Sequence, residues 1–178
     1  VPAFYDVSYN DDGTLKSMLP NNDNAKPRIR KRIVKDLDKA FFPEKVIVPY
    51  IDIVFDRIML ELFRGCTRGC RFCQAGMLYR PVRERSPETL VRQALTLVEN
   101  TGYDEISLSS LSSGDYSCIG GLIKQLTELL REKQVSLSLP SLRIDSFMKD
   151  YTDDLQKVRK TGLTFAPEAG TQRLRDVI

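Results

Sequence analysis

The chain is 178 residues long and 42% hydrophobic, with 27 basic and 24 acidic residues and no histidine. Its length suits one domain with a buried core, and a net charge of +3 is too small to argue for a nucleic-acid partner by itself. The absence of histidine excludes imidazole metal ligands and every Ser-His or Cys-His nucleophile pair.

Residues 4–9 and 14–19 flank Asn10-Asp11-Asp12-Gly13, which predicts a β-hairpin. Residues 21–27 form a polar linker, and the run Arg28, Arg30, Lys31, Arg32 and Lys35 reads as a solvated face or linker. A short helix is expected over 30–39 and an extended segment over 46–54, broken by Pro49. From residue 58 the pattern becomes regular. Residues 58–63 predict a buried parallel strand that delivers a cysteine-rich loop at its carboxyl end. Ser86-Pro87-Glu88 opens a helix closed by Gly102, with Leu90, Val91, Ala94, Leu95 and Val98 on one face. A strand over 105–110 leads to a helix whose apolar stripe is Ile119, Leu122, Ile123, Leu126, Leu129 and Leu130. A third strand follows at 135–139, a helix at 153–160, a fourth strand at 162–166 and a fourth helix from Gly170.

Strands alternating with helices through short connections imply an α/β fold with a parallel sheet, either a (β/α) barrel or a doubly wound sheet. In both, ligands bind at the carboxyl ends of the strands. The boundary is expected at residue 57, with a hairpin and extended region over 1–57 and the βα core over 58–178. The chain starts with Val, and its last helical pattern stops without a cap, so it is expected to have been cut from something longer.

The strand ends hold the chemistry. Cys66, Cys70 and Cys73 lie within eight residues, which in a protein of reduced thiols favours metal over disulfide. No stretch reaches the ~20 apolar residues of a membrane span and the first residues lack signal-peptide features. A cytoplasmic protein with no membrane partner is therefore expected. A 4Fe-4S cluster normally takes four thiolates, so three leave one iron open for a ligand or substrate. Gly65 and Gly69 would let the loop backbone bend and approach the cluster. Cys118 is expected to be a buried structural thiol.

The spacing CxxxCxxC with Phe72 before the last cysteine resembles the radical S-adenosylmethionine (SAM) superfamily. The resemblance implies a partial (β/α) barrel of the radical SAM type, a 4Fe-4S cluster on Cys66, Cys70 and Cys73, and SAM chelated to the fourth iron. Reductive cleavage of SAM would then give a 5'-deoxyadenosyl radical for hydrogen abstraction or for methyl or sulfur transfer. It places Phe72 toward the adenine, and Ser113-Gly114-Asp115 resembles the region that binds the amino group of SAM. Asp115 stands there with a shorter reach than the family's glutamate. Ser141 and Arg143 would meet the SAM carboxylate, and Glu168 the ribose hydroxyls. The ordinary roles of these residues are core packing for Phe72, a helix N-cap for Asp115, a surface ion pair for Arg143 and a first-turn acid for Glu168. An electron donor such as flavodoxin or ferredoxin is implied, with RNA, protein or a small molecule as substrate.

Residues 35–43, followed by the cysteine loop, further resemble radical SAM proteins with an N-terminal cobalamin-binding domain, and within these Arg64 to Glu88 looks like an uncharacterised subfamily related to the methylthiotransferase and Elp3-like branches. That domain and the histidine of its motif are not in this chain, which leaves cobalamin open. About four βα units are counted against six in a complete core of this type, at ~30 residues per unit. The expectation is a core truncated at its C-terminus, weak or inactive alone, with a strand edge available for self-association. The competing readings are a four-thiolate zinc site using Cys118, Cys70-Cys73 thiol redox, and a non-catalytic iron-sulfur scaffold.

Overall fold

The computed structural model describes residues 2–140, 142–143, 151, 155, 158–159 and 165–178, and it divides into two compact units, Val1–Val34 and Lys35–Ile178. The first holds the predicted hairpin. Strands β1 (Tyr5–Tyr9) and β2 (Leu15–Pro20) pair antiparallel, with Tyr5 opposite Pro20 and Ser8 opposite Ser17. The turn closes through Gly13, whose φ of +79° only glycine adopts freely, and through Asp12, whose carboxylate accepts from the amide and hydroxyl of Thr14.

The second unit is built on three parallel strands, β3 (Ile58–Glu61), β6 (Glu105–Ser109) and β7 (Ser136–Ser138), in the order β3-β6-β7. Ile58 and Leu60 stand opposite Ile106 and Leu108, and Ile106 opposite Leu137. Helices α2 (Pro87–Thr101) and α3 (Ile119–Arg131) supply Leu90, Ala94 and Leu97, and Leu122, Ile123, Leu126 and Leu130, to the core over this sheet. Helix α2 begins and ends as predicted: the Ser86 hydroxyl accepts from the Thr89 amide at 3.2 Å, Pro87 occupies the first turn, and Gly102 closes it at φ +73°. Beyond β7, the short strands β8 (Leu142–Arg143) and β9 (Phe165–Ala166) pair in parallel, and helix α4 (Gln172–Val177) follows. The helix expected over 153–160 and most of the strand over 162–166 lie outside the described residues.

Two expectations are corrected. The strand over 58–63 is two elements. After β3 the Leu62 amide still donates to the Ser109 carbonyl, but the Leu62 carbonyl accepts from Arg85, and the chain turns into β4 (Phe63–Arg64), antiparallel to β5 (Arg83–Glu84). No helix forms over 30–39. There the Asp36 carboxylate takes the amides of Asp38 and Lys39, while the Leu37 carbonyl and Asp38 carboxylate accept from Arg85 and Ser86, so local and long-range partners displace the helical ladder. Residues 46–54 join no sheet, in keeping with an extended segment broken by Pro49. Residues 35–44 are instead strapped along α2, with the Glu44 carbonyl accepting from Asn100 at 2.7 Å and its carboxylate from Arg92 at 2.9 Å.

Candidate metal and cofactor site

The cysteine loop leaves β4 at Gly65 and ends in the one-turn helix α1 (Ala75–Leu78). Its base is closed by the Cys66 amide donating to the Tyr79 carbonyl at 3.0 Å. Gly65 has φ +104°, and a Cβ there would stand 2.5 Å from the Tyr79 carbonyl oxygen and 2.7 Å from that of Pro81. Only glycine fits. Gly69 carries no such demand from the protein itself, since a Cβ on it would meet no protein atom within 4 Å. Within the loop the Cys73 amide donates to the Cys70 carbonyl at 3.0 Å, a tight turn that sets the spacing of the last two cysteines.

The three thiols are half-buried and none of the four cysteines forms a disulfide. Among the described residues no three Cys, Asp or Glu side chains converge on one point as a single ion requires. Zinc would draw all its thiolates to ~2.3 Å from one centre, whereas a cube takes each thiolate on a different iron and keeps them apart. Three half-buried thiols on one glycine-hinged loop are a donor set that suits a 4Fe-4S cluster with one iron left open. Cys118 is exposed, correcting the expected buried thiol: it occupies the N-cap of α3, outside the stripe that packs on the sheet.

At the end of β6, Ser113–Asp115 form a single 3-10 turn. Ser113 is fully buried, with its hydroxyl donating to the Leu108 carbonyl at 3.0 Å and sharing a hydrogen bond with Ser110, so it braces the turn and Gly114 follows it. Asp115 accepts from two nitrogens of one guanidinium: Arg68 Nε reaches Oδ2 at 2.8 Å and Arg68 Nη2 reaches Oδ1. The Arg68 guanidinium holds the Asp115 carboxyl below its ordinary value against the opposing effect of burial, and the Arg143 charge adds to this. Asp115 is not the N-cap of α3.

Arg143, at the end of β8, donates from Nη1 to Cys70 Sγ at 3.6 Å. Both border a cavity of 520 Å³, with Glu168, Gln172, Arg175 and Asp176 also in its lining. Glu168 sits in the loop between β9 and α4 at φ +66°, not in the first turn of α4, whose N-cap is Thr171. The Arg71 amide donates to the Ile178 carbonyl at 3.1 Å, which joins the cysteine loop to the far end of α4.

Cys70, Arg143 and Glu168, widely separated in sequence, therefore share one cavity at the carboxyl ends of β8 and β9. Phe72 is 64% exposed and does not line it. Ser141 lies outside the described residues. Sequence reasoning missed Arg68, because nothing in the spacing of a loop arginine marks its partner across the sheet. It missed Gln172 and Arg175 because a polar helix opening looks the same whether it faces water or a cavity.

The radical SAM superfamily model matches residues 60–178, from β3 to the last residue. The chain is 34% identical over 158 residues to an uncharacterized protein of Methanocaldococcus jannaschii, an alignment covering 83% of this chain and 34% of that protein. It is 30% identical over 88 residues to the threonylcarbamoyladenosine tRNA methylthiotransferase MtaB of Bacillus subtilis, covering 49% of this chain and 17% of that enzyme. The chain thus spans about a third or less of the length of these curated relatives. With the family model matching well over half of its residues, the chain belongs to the radical SAM superfamily of iron-sulfur, SAM-dependent enzymes.

Proposed function

We propose that Cys66, Cys70 and Cys73 hold a 4Fe-4S cluster and that the adjoining cavity receives SAM, in a partial (β/α) barrel whose remaining units complete the substrate site. When bound, the cluster supplies the electron that splits the SAM sulfonium into methionine and a 5'-deoxyadenosyl radical, which removes a hydrogen atom from substrate. The chain's own residues bind and orient. The observation that carries this reading is the meeting of Cys70, Arg143 and Glu168 around one cavity. Arg143 offers paired donors to the SAM carboxylate within reach of a cluster thiolate, and Glu168 offers acceptors to the ribose hydroxyls. The likeness to a tRNA methylthiotransferase makes sulfur or methyl transfer to RNA the first reaction class to try, with flavodoxin or ferredoxin as electron donor.

The test is anaerobic reconstitution with iron and sulfide, followed by reduction in the presence of SAM. A broad visible charge-transfer band, about four irons per chain and release of 5'-deoxyadenosine support the reading. Stoichiometric zinc with no such band sinks it.

A further inference from the structure

We propose that Asp115 anchors the cysteine loop through Arg68, which makes Arg68 a positioning residue for the metal centre and assigns Asp115 a different task from holding the SAM ammonium. This rests on the cluster and SAM reading above.

The geometry supports it in three ways. First, both carboxylate oxygens of Asp115 accept from the same guanidinium, the two-pronged arrangement that fixes orientation as well as distance. Second, the two partners lie on separate loops: Arg68 sits midway between Cys66 and Cys70 on the loop that leaves β4, and Asp115 closes the 3-10 turn after β6. The pair therefore fastens the span between the first two cysteines to the braced end of β6, where Ser113 is buried and hydrogen-bonded to the strand. Third, the charges are already balanced. Asp115 carries one negative charge and faces Arg68 directly, with the Arg143 cation also acting on it. An arriving ammonium would be a third cation around one carboxylate that Arg68 already engages through both oxygens.

On either side of Arg68 the loop is also tied by backbone, Cys66 to Tyr79 at its base and Arg71 to Ile178 beyond Cys70, and Arg143 reaches Cys70 Sγ at 3.6 Å. Gly76 packs against the Arg68 carbonyl, where a Cβ would come within 2.5 Å. Arg68 is thus seated from both its main chain and its side chain.

The experiment compares the wild-type chain with Arg68→Gln, Asp115→Asn, the double variant and Arg68→Lys, each loaded anaerobically with iron and sulfide. Two quantities are read: the rate at which a chelator bleaches the cluster band, and the SAM affinity taken from the SAM-induced change in the electron paramagnetic resonance spectrum of the reduced cluster. Each single substitution is expected to speed iron loss about tenfold and the double no further, because both remove one interaction. Arg68→Lys, which keeps the charge and loses the fork, falls between. SAM affinity stays within about twofold in Arg68→Gln and Asp115→Asn alike. Loss of SAM affinity in Asp115→Asn with affinity kept in Arg68→Gln overturns the proposal, as does wild-type iron loss in Arg68→Gln. A wild-type chain that takes up no cluster overturns the SAM reading itself, and is recognised before any variant is compared.

Discussion

The buried guanidinium of Arg85 donates to the backbone carbonyl of Leu37, forty-eight residues earlier in the chain. Arg85 is only 3% exposed, also reaches Glu61 at 3.2 Å and lies over the Phe42 ring at 5.6 Å from its centre. A single cation thus ties the strap before β3 to the hairpin of β4 and β5. Arg85→Ala should destabilise the chain by about 2–4 kcal/mol, since it removes a buried donor set and leaves the Leu37 carbonyl without this partner. Urea unfolding measures this. A loss below about 0.5 kcal/mol would show the strap to be held by other contacts.

Glu61 makes the same region sensitive to acid. Burial alone would raise its carboxyl, but hydrogen bonds from Arg64 at 2.7 Å and from Arg85 hold it below the ordinary 4.5. A carboxyl depressed in the folded state contributes stability that is fully present above 4.5 and is lost as pH falls through the folded value. The melting temperatures of the wild type and Glu61→Gln should therefore differ most at neutral pH and converge in acid. A difference constant across that range would remove Glu61 from the account.

Gly65→Ala should abolish cluster loading. The new methyl has two backbone carbonyl oxygens in its way and a φ that alanine rarely adopts, a combination costing about 1–3 kcal/mol or more at the base of the loop. Iron and sulfide content after reconstitution is the measurement. Gly69→Ala, which meets open space, serves as the contrast and should load normally.

Single alanine substitutions at Cys66, Cys70 and Cys73 should each lower bound iron severely, while Cys118→Ala leaves it unchanged, as befits an exposed thiol at a helix cap. Equal loss at Cys118 would bring it into the ligand set.

Ser86→Ala should cost about 1 kcal/mol, because the hydroxyl satisfies the Thr89 amide at the head of α2. Chemical denaturation resolves a change of that size, and a neutral outcome would mean that the amide finds another acceptor.

Much of this architecture could be read in advance because its signals are local. Ser86, Pro87 and Gly102 mark α2 by cap chemistry, and the apolar spacing from Ile119 to Leu130 marks α3. The cysteine spacing marks the loop for the same reason. What escaped depends on partners far away in the chain. Nothing near Leu62 signals that its carbonyl will be claimed by Arg85 and the strand broken, and the short helix expected over 30–39 is overruled by Asp36, Arg85 and Ser86. Asp115 was noticed for its place after a strand, while the residue that engages it, Arg68, sat unremarked between two cysteines.

The bond between the Cys66 amide and the Tyr79 carbonyl joins the two ends of the cysteine loop across its mouth. The loop is therefore a closed lariat with respect to the sheet. Insertions or deletions between these two residues would change what the lariat encircles without pulling on β3, so the spacing of the three cysteines can change while the strands that present them keep their register.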